Sequence, residues 1–336
     1  MDGLRRQSLC FLLVTALLLG CSLAPSTTPT PLKSVTFVSP TPSAINVLNL
    51  CAAIGEGYMA EEGINATFEA LDGPAAFGAV VAGQAAIGIS GPGPLFSAKA
   101  RGESPVMIYN HFPQAIFGLV VEDDSAVQTP ADLAGMVIGV GALDSAEVAF
   151  AGSIMSDAGL GEGDFDFLAV GDGGLATAAF ERGDIGAYAG SVFDQATMNH
   201  RGISLREITP EKFLSRFGAG IYTLQSTIDS DREMIAGFVR ALLRGQEFAA
   251  ANKDRTLEHC ATLNPEEGSD REFASALFDA ILARMQPLGG LPVGVYSDEP
   301  WQAWHDSLVA AGELEEPLAG LNEMWTNEFA EAAHQD

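Results

Sequence analysis

The residues of this chain that could make or break bonds are few and scattered. Its five histidines are His111, His200, His259, His305 and His334, and no two hold the His-x-x-x-His spacing that places ring nitrogens on one helix face for a metal. Cys51 and Cys260 lie far apart, and the chain has neither a Gly-x-Ser-x-Gly elbow nor a phosphate-binding loop. Gly171-Asp172-Gly173-Gly174 is glycine-rich but lacks the spacing of a dinucleotide fingerprint. These patterns argue against an enzyme and call for no cofactor or metal. What remains is recognition: hydroxyls, backbone amides and carboxylates set in loops of small residues.

Two such loops end matching stretches one hundred positions apart. Ala79 to Gly91 aligns with Ala179 to Ser191, each a helix end, a glycine (Gly83, Gly183), a polar residue (Gln84, Asp184), a short apolar strand and a small-residue loop. The glycines suit the left-handed position that closes helices, and the small residues after each strand let a ligand approach the backbone. The flanks repeat as well, with residues 58–63 before a strand near 67–70 and residues 154–159 before one near 165–169. Two similar α/β halves facing each other would leave a cleft, a preferred ligand site.

The amino terminus bears on location. Arg5 and Arg6 precede an apolar run from Leu9 to Leu19, too short for a comfortable membrane span and closed by Gly20-Cys21, as in a secretory signal. Leu18-Leu19-Gly20-Cys21 resembles a bacterial lipobox. The expectation is a signal at 1–20, an acylated Cys21 and a Ser/Thr/Pro-rich tether at 21–32, giving a lipoprotein anchored in the periplasm or on the outer cell surface. Beyond the signal no run of eighteen apolar residues occurs. The net charge of −27 argues against binding nucleic acid or an anionic membrane through charge, and a hydrophobic content of 47% is ample for a sizeable core. Outside the cytoplasm Cys51 and Cys260 can oxidise; separate buried thiols and a disulfide both fit.

Hydrophobic periodicity predicts strands near 35–39, 67–70, 86–90, 106–109, 116–121, 136–140, 165–169, 185–189, 205–208 and 220–224. Helices are predicted between them, at 44–62, 74–82, 144–158, 174–182 and 194–200. A helical tail follows at 229–252, 255–263, 270–286, 298–311 and 321–334. Alternating strands and helices imply a mostly parallel sheet in each half, with the tail covering the first.

Five segments carry a family resemblance: Gly57 to Gly63, Gly83 to Pro94, Phe117 to Val121, Thr129 to Val140, and Ala169 to Gly173. Together, over roughly residues 33–250, they resemble the periplasmic solute-binding proteins of ABC importers, in the group that binds alkanesulfonates, taurine, nitrate and thiamine pyrimidine precursors. The resemblance implies an α/β type II periplasmic binding protein fold, two lobes with a ligand cleft, and delivery of a small molecule to a membrane permease. The expected division is lobe I at 33–118 and 213–336 and lobe II at 119–212, in a monomer. A pyrimidine synthase of thiamine biosynthesis resembles the same fold, but its group carries a cysteine-rich motif and works in the cytosol. An extracytoplasmic sensor domain also shares it.

Open parallel sheets bind ligands beyond the carboxyl ends of their strands. The candidates in the first lobe are therefore Ser39, Thr41 and Ser43, then Ser90 and Gly91, then Tyr109, His111 and Phe112. Those in the second are Gly141 and Ser145, Asp172 and Gly173, and Tyr188, Ser191 and Asp194. Asp144, Asp172 and Asp194 serve either as helix caps or as ligand groups; in the latter role they would repel an oxyanion and suit a ring N–H or amine. Tyr109, Phe112, Tyr188 and Phe193 either pack the core or stack on a planar ring. These features favour a planar N-heterocycle, such as a thiamine pyrimidine precursor, over a sulfonate.

Overall fold

The structure is a computed structural model that describes residues 31–143, 146–310 and 312–335. The signal at 1–20 and the lipidation site Cys21 lie outside the described residues, as do Asp144 and Ser145.

Among the described residues ten strands build two sheets. The first orders β2 (Ile64–Ala70), β1 (Lys33–Ser39), β3 (Ile87–Ser90), β10 (Ala219–Leu224) and β4 (Pro105–Phe112). The second orders β7 (Asp166–Ala169), β6 (Val137–Val140), β8 (Ala187–Ser191), β5 (Phe117–Glu122) and β9 (Leu205–Glu207). In each, three parallel strands adjoin a fourth that runs antiparallel to both its neighbours. The sheets therefore share one topology. The sequence repeat falls at its third strand in each, β3 and β8, after the helices Gly73–Val81 and Gly174–Glu181. Gly83 and Gly183 both sit at φ 71°, where a side chain is strained. The next amides, Gln84 N–H and Asp184 N–H, reach back to the carbonyls of Ala79 and Ala179 at 2.8 and 3.0 Å, closing both helices alike.

The chain leaves the first sheet after β4 and returns at β10. The two crossovers touch: Ala115 N–H donates to Leu214 O at 2.9 Å and Gly218 N–H to Phe112 O at 2.8 Å. A Cβ at Gly218 would lie 2.7 Å from Ile116 Cγ2 and 2.9 Å from Gln114 O, so only glycine permits this approach.

The carboxyl-terminal third covers the first sheet. Phe238 of helix Arg232–Ala251 stacks on Phe37 of β1 with centroids 6.2 Å apart, inside a cluster that also buries Leu242, Phe278 and Ile281. Three predicted helices are interrupted, the one expected at 44–62 by Gly57 at φ 83° between Leu48–Gly55 and Tyr58–Glu61. That expected at 229–252 breaks at Asp231, whose carboxylate pairs with Lys33. That expected at 321–334 becomes a turn, Leu321–Glu323, and a short helix, Glu328–Ala333. Between them the chain runs beside the edge strand β4. Met107 N–H donates to Met324 O and Thr326 N–H to Met107 O, both at 2.9 Å, and Trp325 stacks on Trp301 at 4.8 Å. Covering the unpaired edge of β4 outweighs local helix preference.

Of the two possibilities for the cysteines, the structure shows the bond: Cys51 and Cys260 are joined, Cα atoms 5.0 Å apart across 209 residues of sequence. Closing so long a loop removes chain entropy from the unfolded state worth about 5 kcal/mol at most. Replacing both cysteines by serine is expected to lower unfolding free energy by about 2–5 kcal/mol in guanidinium titrations. Dithiothreitol should lower the wild type and leave the double variant unmoved.

Candidate functional site

The loop after β1 is held from three directions. Ser39 Oγ accepts from Thr41 N–H at 3.3 Å and Thr41 Oγ1 accepts from Asn46 Nδ2 at 3.2 Å. Ser43 Oγ donates to Glu267 of the tail and accepts from Asn46 N–H at 3.3 Å, while Glu267 Oε2 accepts from Ile45 N–H at 3.1 Å. Burial pushes the Glu267 carboxyl above its ordinary range. From beneath, His111 Nε2–H donates to Asn46 O at 2.8 Å, leaving Nδ1 to accept from Asn49 Nδ2 at 3.4 Å. His111 is fully buried, and desolvation lowers its pKa from 6.5 to about 4. It is a neutral bracket for the loop.

The other first-sheet candidates divide. Ser90 closes β3 and donates to Gly91 O at 3.0 Å; a Cβ at Gly91 would stand 3.4 Å from Gly218 O of the crossover. Tyr109 and Phe112 belong to the core rather than to the strand ends. Tyr109 OH donates to Gln246 Oε1 at 2.7 Å on helix Arg232–Ala251, and Phe112 packs edge-on to His111 at 4.5 Å.

At the second sheet the candidates come together. Gly141, just beyond β6, lies under Asp172: a Cβ there would collide with the Asp172 carboxylate. Asp172 itself is exposed. Asp194 is buried, and both its oxygens are engaged. Oδ1 accepts from Gly173 N–H at 3.1 Å, and Oδ2 accepts from Ser191 N–H at 3.1 Å and Ser191 Oγ at 2.6 Å. The pair forms a capping box on helix Val192–His200 that also ties down the neighbouring loop. Burial, then the charge of Asp172, raises the Asp194 pKa. Tyr188 is buried between these loops, its hydroxyl 3.4 Å from Gly171 O, and burial with the nearby charges of Asp194, Asp172 and Glu147 pushes its phenol up. Asp194 and Ser191 therefore act as architecture, and Asp172 is the free carboxylate.

Three exposed apolar side chains surround Asp172 in chain position. Leu143 follows β6, Leu175 opens the helix after β7 and Phe193 opens the one after β8, exposed by 60%, 66% and 40%. Leu175 packs over Gly171, and Phe193 stands edge-on to Phe273 of helix Arg271–Arg284 at 5.6 Å. Leu143, Leu175, Asn46 and Glu267 escaped the sequence reading. An apolar residue in the first turn after each parallel strand was the available signal for the first two; the bond of Glu267 to Ser43, 224 residues away, had none.

A family model described as NMT1/THI5 like matches residues 44–256. The chain belongs to the NMT1/THI5-like family. Among solved structures, the periplasmic aliphatic sulphonate binding protein SsuA of Escherichia coli is similar at TM-score 0.67 and 14% identity, over 88% of this chain and 92% of that one. The alkanesulfonate-binding protein SsuA of Xanthomonas axonopodis pv. citri, bound to MOPS, gives 0.62 at 17%, over 88% and 98%. The desulfurization enzyme DSZB gives 0.59 at 18%, over 90% and 99%. At these identities the likeness is one of fold, and this NMT1/THI5-like chain has the periplasmic binding protein fold. No curated protein matches it.

The His111 bracket predicts a pH dependence. Its folded pKa lies below the unfolded one, so its contribution is complete above pH 6.5 and is lost as pH falls from 6.5 towards 4. Between those values wild type is expected to lose about 3 kcal/mol more stability than His111→Gln. Urea titrations at pH 7 and pH 4.5 on both proteins check it; parallel losses would remove histidine as the cause.

Proposed function

We propose that this chain is an extracytoplasmic solute-binding protein that captures a small molecule between its two lobes, 33–118 with 213–336 and 119–212, and hands it to an ABC importer. Family membership and fold support capture. Against turnover, Cys51 and Cys260 are tied in a disulfide and both ring nitrogens of His111 are engaged by asparagines. The lipid anchor at Cys21 and the periplasmic or outer-surface location belong to the same proposal.

The observation that carries the ligand class is the composition of the strand-end loops. Residues 40–44, 91–94, 113–116, 141–145, 170–173 and 191–194 contain no lysine or arginine. Among the described residues of these loops Asp172 is the exposed carboxylate, and Leu143, Leu175 and Phe193 are exposed beside the same strand ends. An apolar ring bearing N–H donors satisfies both: its faces rest on the apolar side chains and its donors meet the carboxylate. A planar N-heterocycle of the pyrimidine type is the reading we favour.

A sulfonate is the second reading, supported by the solved sulfonate-binding structures and by Arg201. Its guanidinium lies against Gly174, where a Cβ would be 2.7 Å from Cζ, at the first turn of the helix after β7. An anion there would meet a helix amino terminus and a cation together.

Thermal-shift and calorimetric titration with 4-amino-2-methylpyrimidine and with ethanesulfonate separates the two. The pyrimidine is expected to bind, stabilising by about 2.7 kcal/mol at one hundred times Kd, and Asp172→Asn to weaken it about 5–10-fold. Ethanesulfonate binding that is lost in Arg201→Gln would establish the second reading in its place.

A further inference from the structure

A cavity of about 530 Å³ meets the strand-end loops only at Pro113. None of Ser39, Ser43, Ser90, Asp172 or Ser191 lines it. It sits at the β10–β4 edge of the first sheet, and three segments wall it: Asn110 and Pro113 at the outgoing crossover, residues 211–217 at the returning one, and residues 288–303 of the tail. Trp304 Nε1 donates to Phe217 O at 2.9 Å, fixing the returning crossover to the tail beside it.

The polar groups of this cavity are unevenly matched. Arg216 is half-buried, with Nη1 donating to Ser307 Oγ at 3.2 Å and the guanidinium 5.0 Å from the Phe213 ring centroid. Among the described residues no carboxylate pairs with it, although the chain has 44 acids against 17 bases and most of its other arginines are ion-paired. Lys212 is engaged by Asp157, and Glu211 and Glu299 are exposed. One cation is thus left for an anion, with two carboxylates near enough to disfavour a second negative charge. Asn110 is buried and donates from Nδ2 to Val295 O at 3.2 Å, so it serves the wall rather than a ligand. Phe217, Tyr296, Leu288 and Leu291 give the cavity an apolar wall.

We propose that this cavity is a second small-molecule site, distinct from the strand-end candidates of the second sheet, that takes an aromatic monocarboxylate: the carboxylate on Arg216 and the ring on the apolar wall. A guanidinium offers paired donors to a carboxylate, which makes it the selective end of the site. The ligand would touch both crossovers at once, so the site bears on the relative motion of the lobes.

Calorimetry with phenylacetate on the full chain tests this. Saturable binding is expected. It should weaken about tenfold for the neutral amide, phenylacetamide. Arg216→Met keeps the apolar stem against Phe213 and should cost about tenfold; Ala303→Trp fills the cavity from the tail and should abolish binding whether or not Arg216→Met folds. Asp172→Asn should leave this binding unchanged, which separates the site from the cleft. No saturable heat at millimolar probe, equal binding of acid and amide, or binding that survives Ala303→Trp would overturn the proposal.

Discussion

The chain passes from one sheet to the other and back through two backbone segments lying side by side, and helix Arg271–Arg284 of the tail adds contacts to helix Val192–His200 and to Glu207. Ala115 bonds to Leu214 and Gly218 to Phe112, and the missing side chain at Gly218 lets them close to contact. Because β4 and β10 are neighbours, both crossovers leave from one edge of the first sheet, and β5 with β9 receives them at one edge of the second. Two adjacent connections permit bending and resist sliding, the arrangement that hinge movements between lobes use in general. A side chain at Gly218 would pry the segments apart and disturb every distance between the lobes without touching a ligand group.

The strand-end surfaces of the two sheets, the walls of the proposed cleft, differ in character. The loop after β1 is fixed by Glu267, by the neutral His111 and by its own Asn46, so its geometry exists before anything binds. The second wall keeps its backbone through the Asp194–Ser191–Gly173 bonds but leaves Asp172, Leu143 and Leu175 exposed. A preformed surface costs little ordering entropy on binding, and exposed side chains on a fixed backbone can adapt to what arrives.

Much of the architecture was legible because it is local or periodic. Helix, glycine stop, strand and small loop recur twice, and Gly83 and Gly183 adopt the same left-handed conformation. The tail was harder: the 321–334 pattern is helical in sequence, but the bare edge of β4 recruits Met324 and Thr326 into pairing, a demand no local pattern announces. In the site, sequence placed Asp172 and Gly141 in strand-end loops. It could not tell that Asp194 spends both oxygens inside its own lobe, that Tyr109 turns towards Gln246, or that Glu267 joins from 224 residues away. Cap or ligand group, stacking ring or core ring: each choice is made by contacts between distant segments.

The Cys51–Cys260 bond has a mechanical consequence. Strands β2 to β10, and so the whole second sheet, lie inside the covalent loop that it closes. Tension between the chain's two ends travels along β1 and the first helix, across the sulfur bridge and out through the last helices. It bypasses both crossovers and the ligand walls of the second sheet. A pull on both ends would strip the outer segments first and keep the enclosed sheet unloaded, and a protease cut within the loop would leave the two fragments joined.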